Sequence, residues 1–290
     1  MHARVAAATT TALLGTSIAI LPPSHAGATV HDAPVIVAHR GASGYAPENT
    51  LPAVDKAADM GFDWVENDVQ RTRDGRLVVL HDDTLARTTD VEQVYPDRAP
   101  WKVGDFTERE IARLDAGSWF GREYAGTRVP TLRQYLDRVT LRHEKLVLEI
   151  KNPELYPGLA RQTLNTLADR GWLDADHVRR RLVVQSFDAD TVRTVHELRP
   201  TVRTAYLGTP RVADLPRYAE FTDGVNGAHP TLSAGYVSAA HAVEGPHGRP
   251  LRVMAWTVNS AEVARRVAGY DVDGIITNVP DVVRRAVEED

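Results

Sequence analysis

The sequence predicts an α/β fold, a (β/α)8 TIM barrel with a small insertion subdomain after the second strand. Three observations carry the prediction. Short β-branched apolar runs alternate with longer stretches of helical period, the pattern of parallel strands joined by crossover helices. One pair of runs lies too close together for such a crossover. The length, 290 residues, suits a single barrel.

The runs are Val35–His39, Trp64–Val69, Leu77–His81, Leu146–Ile150, Leu182–Ser186, Arg203–Leu207, Gly224–Ala228, Arg252–Thr257 and Gly274–Thr277. Amphipathic segments such as Leu51–Met60, Gly158–Arg170, Asp190–Leu198 and Ala261–Tyr270 are long enough to cross between them. Only Gln70 to Arg76 separates the second run from the third, whereas a parallel crossover needs about a dozen residues or more. Asp74-Gly75 is a hairpin turn signal, so the third run folds back antiparallel and eight parallel strands remain. A hairpin centred on Asp74-Gly75 places Asp68 opposite His81, and Glu66 shares the face of Asp68 because side chains alternate along a strand.

Between residues 83 and 131 the pattern breaks at Thr88, Thr89, Asp90, Pro96, Pro100 and Gly104, and only Glu108–Leu114 has helical period. The segment keeps apolar anchors in Tyr95, Trp101, Phe106, Trp119, Phe120 and Tyr124, which favours a folded insertion over the active-site face rather than disorder.

Composition narrows the partners. With 43% hydrophobic and 25% charged residues the chain is globular, and a net charge of −5 disfavours nucleic acid or an anionic membrane as the main partner. The absence of cysteine excludes disulfides, thiolate metal sites and cysteine nucleophiles. Residues 1–26 carry Arg4, an apolar run from Val5 to Leu21, Pro22-Pro23 and then Ser24-His25-Ala26, the pattern of a secretory signal peptide cut after Ala26. The expectation is therefore an exported protein, extracellular or in the cell envelope, with residues 27–290 as its mature domain. Thr9, Thr10, Thr11, Gly15, Thr16 and Ser17 interrupt the apolar run too often for a stable membrane span, and no later segment is apolar enough. The oligomeric state is not legible.

The chemistry concentrates at strand ends, where barrel enzymes place their sites. The first run ends in His39-Arg40-Gly41, with Gly41 allowing a tight exit and Arg40 suited to an anion such as phosphate. Asn49 or Thr50 suits a helix cap. Glu66 and Asp68, if inward on one face, would repel each other unless a cation or protons intervene, and for a cation oxygen ligands suit magnesium or calcium. Glu149 is an isolated acid in the apolar run Leu146–Ile150, and two residues on stands Lys151, one of only four lysines. Tyr95, Trp101, Trp119 and Trp256 could form an aromatic wall for a cationic headgroup, or could be core.

These residues carry a resemblance to the glycerophosphodiester phosphodiesterases. It spans nearly all of the mature chain and rests on His39-Arg40-Gly41 with Pro47-Glu48-Asn49-Thr50, on Glu66-x-Asp68-Val69-x-x-Thr72-x-Asp74-Gly75-x-x-Val78-Val79-x-His81-Asp82, and on Glu149-x-Lys151. Gln185-Ser186-Phe187, Trp256-Thr257-Val258-Asn259 and Asp273–Asn278 followed by Pro280 add to it. The resemblance implies a barrel with a small insertion, a divalent ion (Mg2+ or Ca2+) on Glu66, Asp68 and Glu149, phosphate contacts from Arg40 and Lys151, and His39 and His81 as general acid and base. Trp256 falls among the substrate-binding positions. Where the family usually has Asp after the final Thr, this chain has Asn278, so no charged role is carried over there. The implied reaction releases sn-glycerol 3-phosphate and an alcohol from a small-molecule glycerophosphodiester. Sequence leaves open which histidine is the acid, and whether water or the substrate's 2-hydroxyl attacks.

Rival readings are a sphingomyelinase D or lysophospholipase D, and a non-catalytic secreted phosphodiester-binding protein. The former resemble each other in a C-terminal tail motif, whereas Val283–Asp290 has the pattern of an ordinary charged helix. The latter would tolerate loss of His39, His81 or an acid, and none is lost. A phosphatidylinositol phospholipase C would not need the three acids, and a glycosidase using Glu66 and Glu149 would leave Arg40, Lys151 and both histidines without a task.

Overall fold

A computed structural model describes His2 and Ala33–Glu288. The signal peptide expected at residues 1–26 lies outside the described residues, apart from His2. Nine strands form one sheet: β1 (Val35–Ala38), β2 (Trp64–Arg71), β3 (Leu77–Val79), β4 (Lys145–Ile150), β5 (Leu182–Ser186), β6 (Arg203–Leu207), β7 (Gly224–Ala228), β8 (Arg252–Trp256) and β9 (Gly274–Thr277). Pairing of β1 with both β2 and β9 closes eight parallel strands into a barrel, and β3 adds antiparallel to β2.

The helices are α1 (Leu51–Asp59), α2 (Val91–Val94), α3 (Glu108–Ile111), α4 (Leu132–Leu141), α5 (Leu159–Asp169), α6 (Ala189–Leu198), α7 (Leu215–Tyr218), α8 (Ala234–His241), α9 (Ala261–Ala268) and α10 (Pro280–Glu288). Several start where a hydroxyl or carboxylate accepts from the first-turn amides: Thr131 for α4, Asp188 for α6, Ser233 for α8 and Ser260 for α9. Strand residues facing out, such as Val65, Leu146, Leu148 and Val184, pack on this helical layer. Inside the barrel Val37, Val147, Val183, Ala205, Met254 and Ile276 form an apolar plug, with polar side chains in the rungs above it.

Segment 83–131 runs between β3 and α4 and carries α2 and α3. Leu85, Val91, Val103, Phe106, Ile111 and Leu114 form its core together with Val78 and Leu80. Tyr95 and Trp101 pack against that core, and Trp101 Nε1 donates to the Tyr95 carbonyl at 2.8 Å. These two aromatics serve the insertion's packing. Trp119 is 42% exposed and its ring meets Phe120 edge-on.

The hairpin register differs by one residue from the one that the Asp74-Gly75 signal suggests. Val69 pairs with Val79, Gln70 with Val78 and Arg71 with Leu77, and Leu80 N donates to the Asp68 carbonyl. Leu80, not His81, therefore lies opposite Asp68. The cause is the loop. Arg73-Asp74-Gly75 is a three-residue connection closed by Thr72 N on the Arg76 carbonyl at 2.9 Å, with Gly75 in the left-handed region at φ 79°. An Asp-Gly pair serves this loop as readily as a two-residue turn, and the choice shifts the ladder by one.

Candidate active site

Glu66 and Asp68 face into the barrel from β2, and Glu149 faces in from β4, whose register sets it beside Asp68. Each of the three offers a carboxylate oxygen within 4.8 Å of the others. Glu66 and Asp68 are 1% exposed and Glu149 is 6% exposed, so their charges share one poorly solvated space. Burial, with repulsion from Asp68 and Glu149, holds Glu66 well above the usual carboxylate range. Burial and Asp68 push Glu149 up to about 8 against the pull of Lys151. Asp68 goes the other way: burial opposes its charge, but Arg40, His81, Lys151 and the Asn49 hydrogen bond draw it below the ordinary value.

Cations flank the acids. Arg40 Nε lies 3.3 Å from Asp68 Oδ2, and Lys151 Nζ lies 2.8 Å from Glu149 Oε1 and 4.0 Å from Asp68 Oδ1. Lys151 is buried and Arg40 half-buried, and Lys151 also approaches the Phe187 ring at 5.4 Å. The chain reaches this geometry through an unusual bend, since Arg40 has φ 56° and Gly41 has φ 78°. A Cβ on Gly41 would stand 2.6 Å from the backbone of Ala53, so only glycine lets the exit of β1 pass over α1.

The residues fit a hard divalent cation. Three buried carboxylates face each other, and Asp68 Oδ1 has no hydrogen-bond partner among the described residues. Oxygen donors of this kind suit magnesium or calcium.

Two histidines line the cavity beside the acids, together with Arg40, Gln185, Phe187, Leu207 and Trp256. His39 Nδ1 meets Asn278 Oδ1 at 2.6 Å, while its Nε2 lies 3.9 Å from Glu66 Oε2. Burial and the adjacent Arg40 charge lower His39 to about 4. His81 Nδ1 meets Asp82 Oδ1 at 2.7 Å. His81 comes to the cavity after the end of β3, where the buried Gln70 amide donates to the carbonyls of Leu80 (3.0 Å) and His81 (3.1 Å) and also reaches that of Asp82. His81, Asp82 and Lys151 also border an adjoining groove with Asp83 and Glu154.

Other parts of the site were not legible as such. Asn49 and Thr50 do not cap α1 with their side chains: Thr50 bonds back to the Pro47 carbonyl, and Asn49 Nδ2 donates to Asp68 Oδ2 at 2.7 Å. Glu48 and Arg87 join Arg40 to Asp82 in a chain of charges. Glu48 stands within the sequence motif but reveals no task there, while Arg87 lies in a segment without periodicity. Of the four aromatics considered for a wall, Trp256 alone lines this cavity, its Nε1 fixed on the Asn226 carbonyl at 2.7 Å and its ring edge-on to Phe187.

A family model described as the glycerophosphoryl diester phosphodiesterase family matches residues 39–282. The chain belongs to this family. A glycerophosphodiester phosphodiesterase of Bacillus subtilis is 33% identical over 262 residues, covering 86% of this chain and 85% of that protein. Another, from Caldanaerobacter subterraneus, is 32% identical over 256 residues, covering 88% and 98% respectively. Among solved structures, an Oleispira antarctica phosphodiesterase in complex with the product sn-glycerol 3-phosphate superposes with a TM-score of 0.76 at 28% identity, covering 88% of this chain and 97% of that one. As a glycerophosphoryl diester phosphodiesterase family member, the chain has its buried acids and both histidines at the C-terminal mouth of the barrel.

Proposed function

We propose that the protein hydrolyses glycerophosphodiesters to sn-glycerol 3-phosphate and an alcohol, with a divalent cation held by Glu66, Asp68 and Glu149. The observation that carries this reading is the cluster of three buried carboxylates, two of which, Glu66 and Glu149, line one cavity with His39 and His81. When bound, the ion supplies positive charge that stabilises the phosphoryl oxygens as the reaction proceeds. Arg40 and Lys151 add fixed charge at the same place, and Trp256 and Phe187 give the substrate an apolar wall.

The hydrogen bonds support distinct roles for the two histidines. The amide oxygen of Asn278 only accepts, so His39 carries its proton on Nδ1 and presents the lone pair of Nε2 as base. The Asp82 carboxylate accepts from His81 Nδ1 and so fixes the ring, which leaves Nε2 as the nitrogen that can serve the leaving oxygen as acid. An incoming oxygen gives its proton to His39 as its bond to phosphorus forms. The bond from phosphorus to the alcohol oxygen breaks, and that oxygen takes a proton from His81. The mild net negative charge agrees with a small substrate whose phosphate is attracted locally. The leader pattern at residues 1–26 favours action outside the cytoplasm.

The test is a coupled assay for sn-glycerol 3-phosphate across a panel of glycerophosphodiesters, with and without prolonged chelation and metal re-addition. Chelation is expected to abolish turnover, and indifference to it overturns the metal role. His81→Ala is expected to lose about 10²- to 10⁴-fold in kcat with the fold intact. Full activity in that variant overturns its assignment.

A further inference from the structure

We propose that Arg87 is a positioning residue for the acid arm of the site, acting through Asp82 on His81. Its guanidinium is forked on both sides. On one side Nε and Nη2 donate to the Asp82 carboxylate at 2.6 and 2.9 Å. On the other, Nη1 and Nη2 donate to the Glu48 carboxylate at 2.8 and 2.7 Å. Asp82 passes the constraint to His81 Nδ1 at 2.7 Å, and Glu48 is anchored in turn on Arg40 Nη1 at 2.8 Å.

This constraint matters because His81 stands beyond the last ladder residue of β3. Gln70 holds the backbone carbonyl of His81, but among the described hydrogen bonds its ring is oriented by Asp82 alone. A carboxylate free to turn would leave the ring free to turn with it, and a displacement of about 1 Å at a reacting group can cost about 10²-fold in rate. Arg87 removes that freedom by gripping both Asp82 oxygens in one plane, a geometry that lysine cannot reproduce.

The base of Arg87 is itself fixed. Leu85 is fully buried in the core of segment 83–131, and Thr89 Oγ1 donates to the Leu85 carbonyl at 2.6 Å while accepting from Val91 N. Through Arg87 the insertion thereby reaches the acid arm of the site.

The inference rests on His81 being the acid, so the experiment separates the two. Turnover is measured for the wild type, His81→Ala, Asp82→Asn, Arg87→Lys, Arg87→Met and the double variant Asp82→Asn/Arg87→Met. Each is given glycerophosphocholine, whose alkoxide needs a proton to leave, and the p-nitrophenyl ester of glycerol phosphate, whose phenolate does not. Both Arg87 variants are expected to lose about 10- to 100-fold in kcat on the choline ester, with KM within about threefold and a much smaller loss on the nitrophenyl ester. The double variant is expected to lose no more than its worse parent. Failure of His81→Ala itself to discriminate between the esters overturns the acid assignment, and this proposal with it. With that discrimination intact, equal losses on both esters in the Arg87 variants overturn the proposal, as do restoration by Arg87→Lys or additive losses in the double variant. Should Arg87→Met not fold, Arg87→Lys keeps the charge and stem and gives the same reading.

Discussion

Asn49 and Asp68 bond to each other twice: Asn49 Nδ2 donates to Asp68 Oδ2 at 2.7 Å, and Asp68 N donates to Asn49 Oδ1 at 3.3 Å. Asn49 sits in the left-handed region at φ 59°, on the loop that leaves Arg40, and is buried. One carboxamide thus fixes the rotation of the central acid in the cluster while Asp68 Oδ1 keeps no hydrogen-bond partner among the described residues.

Asn49→Gly removes this support without imposing backbone strain, because glycine accepts positive φ. Affinity for Mg2+ or Ca2+ is expected to fall about 10- to 100-fold, the usual effect of losing a group that orients a metal ligand. Calorimetric titration of metal-free protein checks it, and an unchanged affinity removes Asn49 from the site.

Asn278 accepts from His39 Nδ1, and its own backbone amide is held by Asn259 Oδ1 at 2.9 Å. Asn278→Leu deletes the acceptor and frees the imidazole to turn, so kcat is expected to fall about 10- to 100-fold with little change in KM. Asn278→Asp keeps an acceptor at the same place and is expected to retain far more turnover. Steady-state kinetics of the two variants give the comparison.

Phe187 is 50% exposed, stands edge-on to Trp256 at 5.5 Å and lies 5.4 Å from Lys151 Nζ. An exposed aromatic between a cation and a binding cavity serves contact with substrate better than it serves the core. Phe187→Ala is expected to raise KM about 5- to 30-fold, the equivalent of about 1–2 kcal/mol of aromatic contact, with kcat nearly unchanged. A large kcat loss at constant KM would count against a binding role.

Glu144 stands far from this chemistry, immediately before β4. Its carboxyl is buried with neither oxygen hydrogen-bonded to a described residue. Burial pushes it up to about 9, with Arg142 opposing and Asp55, Asp63 and Asp59 adding to the rise. The folded state therefore keeps its proton where the unfolded chain, near the ordinary 4.5, loses it. Stability attached to this group is fully present below about pH 4.5 and is lost as pH rises toward 9. Glu144→Met is expected to stabilise the protein by about 1–3 kcal/mol at pH 8 and by less at pH 5. Urea unfolding at the two values checks it, and an equal effect at both contradicts the linkage.

Alternation of apolar runs with amphipathic segments, and one interval too short to cross, determine the barrel from sequence alone. A parallel sheet buried on both faces writes itself into sequence as continuous apolar runs, so an acid such as Glu149 within one is conspicuous. The same spacing put Glu66 and Asp68 on one face, since side-chain alternation is a local property of a strand. Tertiary structure decided what local pattern leaves degenerate. The turn at Gly75 could close in two registers, and the loop adopted set Leu80 rather than His81 across from Asp68, leaving Gln70 to draw His81 inward. Asn49 suits a cap by residue type, but the positive φ of its loop turns it to Asp68 instead. Arg87 acquires its partners only when segment 83–131 folds against the barrel mouth, because Glu48 lies 39 residues away in the chain and no periodicity links the two.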